Sequence, residues 1–394
     1  MTEIRDPIHG YVKLDDLAEE LVSTPQMQRL RWIKQLGLAN LVYPGASHTR
    51  FEHSLGVYHL AGIVARHLGL NEEDRLRVCA AGLMHDIGHG PLSHATESVL
   101  SSCLRREHEN IADILRRDEP RAVLSRYGIQ PHEIQSLVKG EGKLGQIVSG
   151  EIDVDRMDYL IRDAHYTGVA YGVIDHLRLI EKMRIHQGEL VMESGGIQAA
   201  ASLLVSRLLM HPTVYFHHVC RISECMIGSG IRHMIDDGFD PVKIKGMDDS
   251  QLFSAMDVHG GYTREIVDRI KTRRLFKRAV YVGEESIGPE CAASERMIAR
   301  EIAEEAGVDP GYVLTDCPPL PDVAEGDFPM LIDGVIRPLR KVSPLVTSLE
   351  RAHRATWRFG VYSRAEDREK VARAAKRCLN LKRTAVQYTF DDID

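Results

Sequence analysis

The 394-residue sequence lacks the features that mark several protein classes. Its seven cysteines include no CxxC pair, which argues against a zinc ribbon, and their odd number argues against a complete disulfide framework. Basic residues are not in excess, because the formal net charge is −7, so strong nucleic-acid binding is not expected. No apolar run approaches the ~20 residues of a membrane helix, and the N-terminal segment has neither a basic nor an apolar signal region. We therefore expect a cytoplasmic protein with reduced thiols and no membrane partner.

Most of the sequence up to about residue 237 has the periodicity of amphipathic helices, and the pattern changes there. Apolar residues recur at spacings of three and four from about residue 18 to residue 233, and Thr24-Pro25 predicts the start of a helix over QMQRLRWIKQL. Beyond residue 237, strand-like stretches such as KRAVYVGEESIG, MLIDGVIRPL and TWRFGVYSR mix with helical ones, and DCPPLPDVAEGDF is typical of an exposed loop. We predict a mainly α protein with a helical core over 1–237 and a smaller C-terminal α+β region over 238–394.

The stretch GLMHDIGHGPLSH places ligand-type side chains at the end of an apolar helix. Burying His85 beside Asp86 costs free energy unless both are paired, hydrogen-bonded or bound to a metal. The spacing of HDIGH resembles the HExxH of zinc metalloproteases, but Asp86 stands where the general-base Glu is needed and a Gly-Pro pair follows directly. A lone His-Asp pair is more often a satisfied helix end, so the interpretation depends on further ligands elsewhere in the chain.

Further ligands are present in two distant motifs. RFEHSLG contributes His53, and EIDVDRMDYLIRD contributes four aspartates in a helical pattern. A mixed imidazole and carboxylate site suits Mn, Fe, Ni, Zn or Co better than Ca, and it leaves positions open for water or phosphate. The aspartates of the second motif are Asp153, Asp155, Asp158 and Asp163.

Taken together, the motifs DPIHGYVKL, YPGASHTRFEHSLGV, HDIGHGPLSH and EIDVDRMDYLIRDAHYTG resemble the HD-domain metal-dependent phosphohydrolases. More narrowly, they resemble the deoxynucleoside triphosphate (dNTP) triphosphohydrolase branch, which includes dGTPase-like enzymes and the animal sterile-alpha-motif and HD-domain dNTPase. The resemblance covers residues 4–235 well. It implies a helical HD core, hydrolysis of a dNTP to deoxynucleoside and tripolyphosphate, and a homo-oligomer, either a dimer or a tetramer.

The resemblance also implies roles for individual residues. His108 matches the family's general acid for the departing 5′ oxygen, and Glu97 stands where the family has an Asp that orients this histidine; His89 and His94 match histidines that face the phosphates. Asp153 and Asp158 compete with Asp155 as ligands, although helix capping or surface charge is the simpler interpretation of both. The implied metal ligands are His53, His85, Asp86 and Asp155, with Mg on the substrate phosphates as a further expectation.

Substrate recognition is implied at positions spread along the chain. Arg50, Arg156, Tyr159 and Arg207 match phosphate contacts, for which arginine is well suited. Gln35 and Asp163 match residues that bind the 3′-hydroxyl, and Tyr215 matches an aromatic that excludes a 2′-hydroxyl. A regulatory nucleotide site is implied at Gln28 and Arg31, but Ser23, Arg5 and Phe216 depart from the animal enzyme, which puts guanine-specific activation in doubt.

Two other functions remain open at this point. One is a phosphomonoesterase or phosphodiesterase that acts on another nucleotide through the same metal site. The other is a nucleotide-sensing protein with little turnover, although retention of all four ligands argues against it.

Overall fold

The computed structural model describes residues 2–104, 109–116, 118–287, 291, 295–318 and 326–381. These residues form a mainly helical protein with small sheets, which confirms the predicted fold class. None of the helices within them is long and apolar enough to cross a membrane. The helices are α1 (Asp16–Val22), α2 (Pro25–Arg29), α3 (Arg50–His67), α4 (Glu72–Met84), α5 (His94–Leu104), α6 (Ala112–Leu115), α7 (Asp118–Arg126), α8 (Pro131–Val138), α9 (Gly142–Val148), α10 (Val154–Thr167), α11 (His176–Lys182), α12 (Ile197–Met210), α13 (His218–Asp236), α14 (Pro241–Gly246), α15 (Asp249–His259), α16 (Gly261–Lys271), α17 (Glu295–Ala306), α18 (Leu339–Val342), α19 (Pro344–Thr356) and α20 (Arg368–Cys378). The strands are β1 (Glu3–Asp6), β2 (Gly10–Lys13), β3 (Met183–His186), β4 (Glu189–Glu193), β5 (Lys277–Val282), β6 (Val313–Asp316), β7 (Pro329–Ile332), β8 (Val335–Pro338) and β9 (Phe359–Ser363).

The helices α3 and α4 form the centre of the core, and their close packing determines where the site lies. Thr49 and Glu52 make a capping box that starts α3 at Arg50. Gly82 of α4 lies against α3, because a Cβ placed there would be 3.3 Å from a side-chain methyl of Val57. This contact places the first turns of α3 beside the end of α4.

The helix predicted over QMQRLRWIKQL is shorter than expected. Thr24 caps α2 and Pro25 occupies its first turn, which confirms the predicted start. The helix nevertheless ends at Arg29, whose guanidinium donates to the carbonyls of Ile87 (3.0 Å) and His89 (2.6 Å). A 3₁₀ turn follows at Leu30–Trp32. The local helical pattern therefore predicts a longer helix than the chain forms here.

Two further sheets lie inside or beside the helical region, and of their strands only β7 and β8 fall in a stretch that the sequence predicts as strand-like, MLIDGVIRPL. The strands β1 and β2 form an antiparallel hairpin at the N-terminal end of the described chain. The strands β3, β4, β7 and β8 form a four-stranded sheet in which β4 and β7 are parallel. Because β4 and β7 lie on opposite sides of residue 237, the two predicted regions share this sheet, and the division at that residue stays a prediction.

The C-terminal region has the α+β character that the sequence predicts. Its sheet has the order β5-β9-β6, with both outer strands antiparallel to β9. The helices α17 and α20 pack on this sheet through a buried apolar cluster that includes Ile302, Val371 and Phe359. One expectation is wrong here: Cys291 and Cys317 are joined by a disulfide, so not all seven cysteines are free thiols. The spacing of 26 residues gave no sign of this pair, which depends on β6 ending beside α17.

Candidate metal and nucleotide site

Two histidines and two aspartates from three separate segments meet at the junction of α3, α4 and α10. The Nε2 atoms of His53 and His85 are 3.2 Å apart, and His85 Nε2 is 3.4 Å from Asp86 Oδ1. The ligand atoms of these three residues all lie within 4.8 Å of one another. Asp155 Oδ1 lies 2.9 Å from His53 Nε2 and 3.7 Å from His85 Nε2. This mixed nitrogen and oxygen donor set fits a divalent transition metal.

Arg50 holds one oxygen of Asp86 and leaves the other facing the cluster. Its Nη1 donates to Asp86 Oδ2 at 2.6 Å, and its Nε donates to the hydroxyl of Ser93 at 2.7 Å. Burial acts to raise the pKa of Asp86, but the charge of Arg50 and the nearby histidines outweigh burial and hold this pKa well below its usual range. Asp86 therefore presents an ionised oxygen to the cluster. His89 Nε2 lies 3.3 Å from the same oxygen, Oδ1.

The segment after His85 leaves the helix at once and runs along the site. The helix α4 ends at Met84, so His85 and His89, which are four residues apart, do not lie on one face of a helix. Leu92 and Ser93 both have left-handed backbones, with φ of 52° and 49°. The carboxylate of Asp249 accepts a hydrogen bond from the backbone of Leu92 at 2.7 Å and so fixes this turn. Neither Arg29 nor Asp249 was singled out in the sequence, and no local motif marks them.

A cleft of about 630 Å³ extends from the cluster toward the C-terminal sheet. One wall contains Asp163, whose Oδ1 lies 2.9 Å from His48 Nε2 and whose Oδ2 accepts from the hydroxyl of Tyr215 at 2.9 Å. Tyr215 ends a π-helical turn over His211–Tyr215, a kind of irregularity that is frequent at functional sites. Gln35 lines the same cleft, and its buried Oε1 has no hydrogen-bond partner in the described part of the chain.

Most of the residues predicted from the sequence line this one cleft. Arg156 lies outside the lining formed by the described residues and donates to Asp153 instead, at 2.9 Å. Gln28 and Arg31 also lie outside it and contact each other at 2.9 Å. His108 and the side chain of His94 lie outside the described residues. The cleft is lined by Gln35, Arg50, His53, His85, Asp86, His89, Glu97, Asp155, Tyr159, Asp163, Arg207 and Tyr215.

The two aspartates that compete with Asp155 have different positions. Asp153 caps α10 by accepting from the backbone of Arg156, which agrees with the capping interpretation. Asp158 is fully buried, so its interpretation as a cap or a surface charge is wrong. Burial acts to raise the pKa of Asp158, but Arg162 and hydrogen bonds to two histidines lower it well below its usual range. Its spacing of three residues from Asp155 was the only signal in the sequence, and it did not indicate which side of the helix is buried.

Comparison with known families identifies two regions in the chain. The HD domain family matches residues 50–163, which include α3, α4 and most of α10. The HD associated region family matches residues 174–390. The two matches together include the cluster, most of the residues that line the cleft and the C-terminal sheet.

Individual relatives and solved structures resemble the chain over most of its length. It is 34% identical over 384 residues to an uncharacterized protein of Methanocaldococcus jannaschii, covering 93% of this chain and 80% of the relative. It is 31% identical over 351 residues to the human deoxynucleoside triphosphate triphosphohydrolase SAMHD1, covering 72% of this chain and 55% of that protein. A hypothetical protein of Aquifex aeolicus superposes with a TM-score of 0.77 at 30% identity, covering 95% of this chain and 99% of the other. A phosphohydrolase of Bacteroides thetaiotaomicron superposes with a TM-score of 0.75 at 26% identity, covering 92% and 100%.

Proposed function

This chain belongs to the HD-domain family of metal-dependent phosphohydrolases, and we propose that it hydrolyses dNTPs to a deoxynucleoside and tripolyphosphate. The observation that carries the proposal is the pairing of Tyr215 with Asp163 in the same cleft as the metal cluster. A metal site alone fits any phosphoester. A half-buried tyrosine hydroxyl and the buried carboxylate to which it is hydrogen-bonded, both beside that site, suit a sugar with one free hydroxyl.

The first part of the proposal is the metal site itself. His53, His85, Asp86 and Asp155 would hold one divalent ion of the group Mn, Fe, Ni, Zn or Co, because both imidazoles direct Nε2 toward the carboxylate oxygens. An ion held there supplies Lewis acidity at a phosphoryl oxygen and lowers the pKa of water enough for attack on phosphorus near neutral pH. Mg²⁺ is proposed only as a counterion of the substrate phosphates.

The chain's own side chains would neutralise the charge of the triphosphate and protonate the departing 5′ oxygen. Arg50 is fixed by Asp86 and Ser93 at the cluster, so it is placed to neutralise charge on the α-phosphate without reorganising. Arg207 and Tyr159 line the cleft and are proposed to bind the rest of the triphosphate. When the P–O5′ bond breaks, His108 would give a proton to the 5′ oxygen, with Glu97 orienting its ring and His94 and His89 facing the phosphates; the roles of His108 and His94 rest on the sequence resemblance.

Sugar selection is proposed at the part of the cleft lined by Gln35, Asp163 and Tyr215. Asp163 is held by His48 and Tyr215, and Gln35 has a buried oxygen available, so the two can bind a 3′-hydroxyl. Tyr215 would fill the space that a 2′-hydroxyl needs. A site that positions one hydroxyl and sterically excludes another discriminates more strongly than an apolar pocket does. Arg156 is given a weaker role, because it is already paired with Asp153.

Regulation and assembly form a separate part of the proposal. Gln28 and Arg31 are proposed to bind a regulatory nucleotide, supported by the guanidinium of Arg31 lying 3.6 Å from the ring centroid of Phe51, which gives a rigid planar surface. Ser23 offers no acidic group for guanine, so guanine-specific activation is not expected. A homo-oligomer, dimer or tetramer, is proposed on family resemblance.

The test is direct product analysis. Purified protein is loaded separately with Mn²⁺, Fe²⁺, Ni²⁺, Co²⁺ or Zn²⁺ and given each dNTP alone and all four together. Products are separated by ion-pair chromatography. We expect deoxynucleoside and tripolyphosphate in equal amounts, and His85→Ala should abolish both products because it removes a cluster nitrogen.

Controls separate the alternatives. Arg264→Met alters an exposed residue of α16 that is not part of the cleft lining, and it should keep full activity. Monophosphate or orthophosphate as the product would overturn the proposal in favour of a phosphomonoesterase or phosphodiesterase. Tight dNTP binding without any product under every metal would favour a nucleotide sensor. Turnover only in the dNTP mixture would support the regulatory site.

A further inference from the structure

The buried carboxylate of Asp158 connects the metal cluster to the N-terminal hairpin. Its Oδ2 lies 2.8 Å from His53 Nδ1 and accepts from Arg162 Nε at 2.8 Å. Its Oδ1 accepts from Arg162 Nη2 at 3.0 Å and lies 2.6 Å from His9 Nε2. Asp158 and Arg162 are both completely buried. A carboxylate has about four acceptor positions, so these four contacts saturate it.

The contact with His53 determines which ring nitrogen faces the cluster. A saturated carboxylate is an acceptor only, so His53 must donate through Nδ1–H. Its Nε2 then carries the lone pair that a metal requires, and this atom is the one that lies 3.2 Å from His85 Nε2. Residues that fix the tautomer and ring plane of a ligating histidine commonly change metal affinity by about 10- to 100-fold when they are altered.

His9 reaches Asp158 because the turn between β1 and β2 is itself fixed. The Asp6 carboxylate accepts from the backbone of Ile8 at 2.9 Å and of His9 at 2.8 Å, which closes the turn. The other oxygen of Asp6 accepts from Arg162 Nη1 at 2.9 Å. The DPIHG turn is therefore anchored to α10 at two points, although the proposed reaction assigns no role to it.

Gly56 of α3 leaves the space that this network occupies. A Cβ at this position would be 1.9 Å from Asp158 Oδ1 and 2.5 Å from Arg162 Nη2. Both atoms belong to buried groups with several hydrogen bonds, so they cannot move aside without breaking them. Gly62 lies on the same helix, and a Cβ there would meet only ordinary contacts, 3.6 Å from Arg66 and 3.7 Å from Cys79.

We propose that the N-terminal DPIHG turn is an outer shell of the metal site, in which His9 and Arg162 position Asp158 and Asp158 positions the ligand His53. These are positioning residues, since none of the three lines the cleft formed by the described residues. The inference rests on the proposed metal site, but it does not depend on which substrate is hydrolysed.

The test measures metal affinity instead of activity. Metal-free protein competes with a chromophoric chelator for Mn²⁺ and, in a second series, for Zn²⁺, and circular dichroism with thermal melting of the metal-free form follows folding. We expect His9→Ala to weaken metal binding about 10-fold and Asp158→Asn about 10- to 100-fold. We expect His9→Gln to recover most of the affinity, because its amide can still donate to Asp158.

A matched pair of variants on α3 separates positioning from general destabilisation. Gly56→Ala should weaken metal binding as strongly as Asp158→Asn, whereas Gly62→Ala should leave affinity unchanged. His59→Gln is a second control, because its ring lies 5.2 Å from that of His9 but it is not hydrogen-bonded to Asp158 in the described contacts.

Each outcome decides a specific point. If the wild-type protein binds neither ion, the proposed metal site fails and this inference fails with it. If the wild-type protein binds tightly while His9→Ala and Gly56→Ala bind equally tightly, the inference alone is refuted. If Asp158→Asn does not fold, the metal affinities of His9→Ala and Gly56→Ala still test the positioning role. Equal loss of affinity in His9→Gln and His9→Ala would also refute the role of His9 as a donor.

Discussion

Replacing Arg221 should show how much its contact with the C-terminal sheet contributes to the free energy of unfolding. Arg221 of α13 donates through Nη2 and Nε to Asp316 at the end of β6, at 2.6 and 3.1 Å. Its Nη1 donates to Glu224 at 2.6 Å, and Tyr362 of β9 also donates to Asp316, at 3.1 Å. Within the described residues, the arginine thus makes two of the three side-chain hydrogen bonds to a carboxylate that is only 3% exposed.

The magnitude follows from what Arg221→Met leaves behind. Asp316 would stay buried with Tyr362 as its remaining side-chain donor among these contacts, and removing one partner of a buried pair typically costs about 3–5 kcal/mol. Because the Arg221 side chain is 20% exposed and water can partly replace it, we expect about 3 kcal/mol, the lower end of that range. Arg221→Met/Asp316→Asn should cost less than the sum of the two single changes, because the second change removes the unpaired charge.

The assay is urea denaturation at pH 7, followed by far-ultraviolet circular dichroism on metal-free protein. Arg264→Met is the matched control, because its pair with Asp257 is about half exposed on both sides and should contribute less than about 1 kcal/mol. A loss for Arg221→Met no greater than that of the control would refute the reasoning. So would strict additivity in the double variant, since it would show that Arg221 and Asp316 do not act together.

Two further predictions concern pH and sugar discrimination. Burial, and then the neighbouring His353 and Arg207, lower the pKa of His211 to about 3. The unfolded chain therefore takes up a proton near pH 6.5 that the folded chain does not, so the free energy of unfolding falls as pH drops. In urea titrations, His211→Gln should remove about 2 kcal/mol of the stability that the protein loses between pH 7 and pH 5. An unchanged dependence of stability on pH would contradict this. Tyr215→Ala should raise kcat/KM for ribonucleotides relative to deoxynucleotides about 10-fold, and an unchanged ratio in competition assays would contradict the steric role.

The fold class could be predicted from the helical periodicity of the sequence, and the family from the resemblance of several ordered motifs. Burying His85 and Asp86 side by side at the end of an apolar helix is unfavourable unless they have partners. The distant His53 and Asp155 offer an imidazole and a carboxylate as such partners. Their convergence in the structure agrees with this expectation, while their role as ligands stays a prediction. The strands β5, β7, β8 and β9 were also recognisable, because their stretches are rich in β-branched or aromatic residues, whereas β6 was not.

The parts that could not be predicted depend on contacts between distant segments. Asp158 contacts His53 at a separation of 105 residues and His9 at a separation of 149, and neither pairing leaves a periodic trace in the sequence. The same holds for the disulfide between Cys291 and Cys317 and for the parallel pairing of β4 with β7. Local patterns describe which residues need a partner, whereas the identity of the partner depends on topology.

The turn after His85 and Asp86 also has a backbone conformation that local sequence patterns do not predict. Gly and Pro in this stretch predict that the helix stops, but not the direction that the chain then takes. Two consecutive left-handed residues other than glycine, Leu92 and Ser93, each cost about 1–2 kcal/mol. That cost is offset only if the surroundings hold the turn, and here Asp249 binds the Leu92 amide while Arg50 binds the Ser93 hydroxyl. Because Arg50 also binds Asp86, the strained turn and the candidate metal ligand are held by one side chain, so a change that relaxes the turn should also displace the carboxylate.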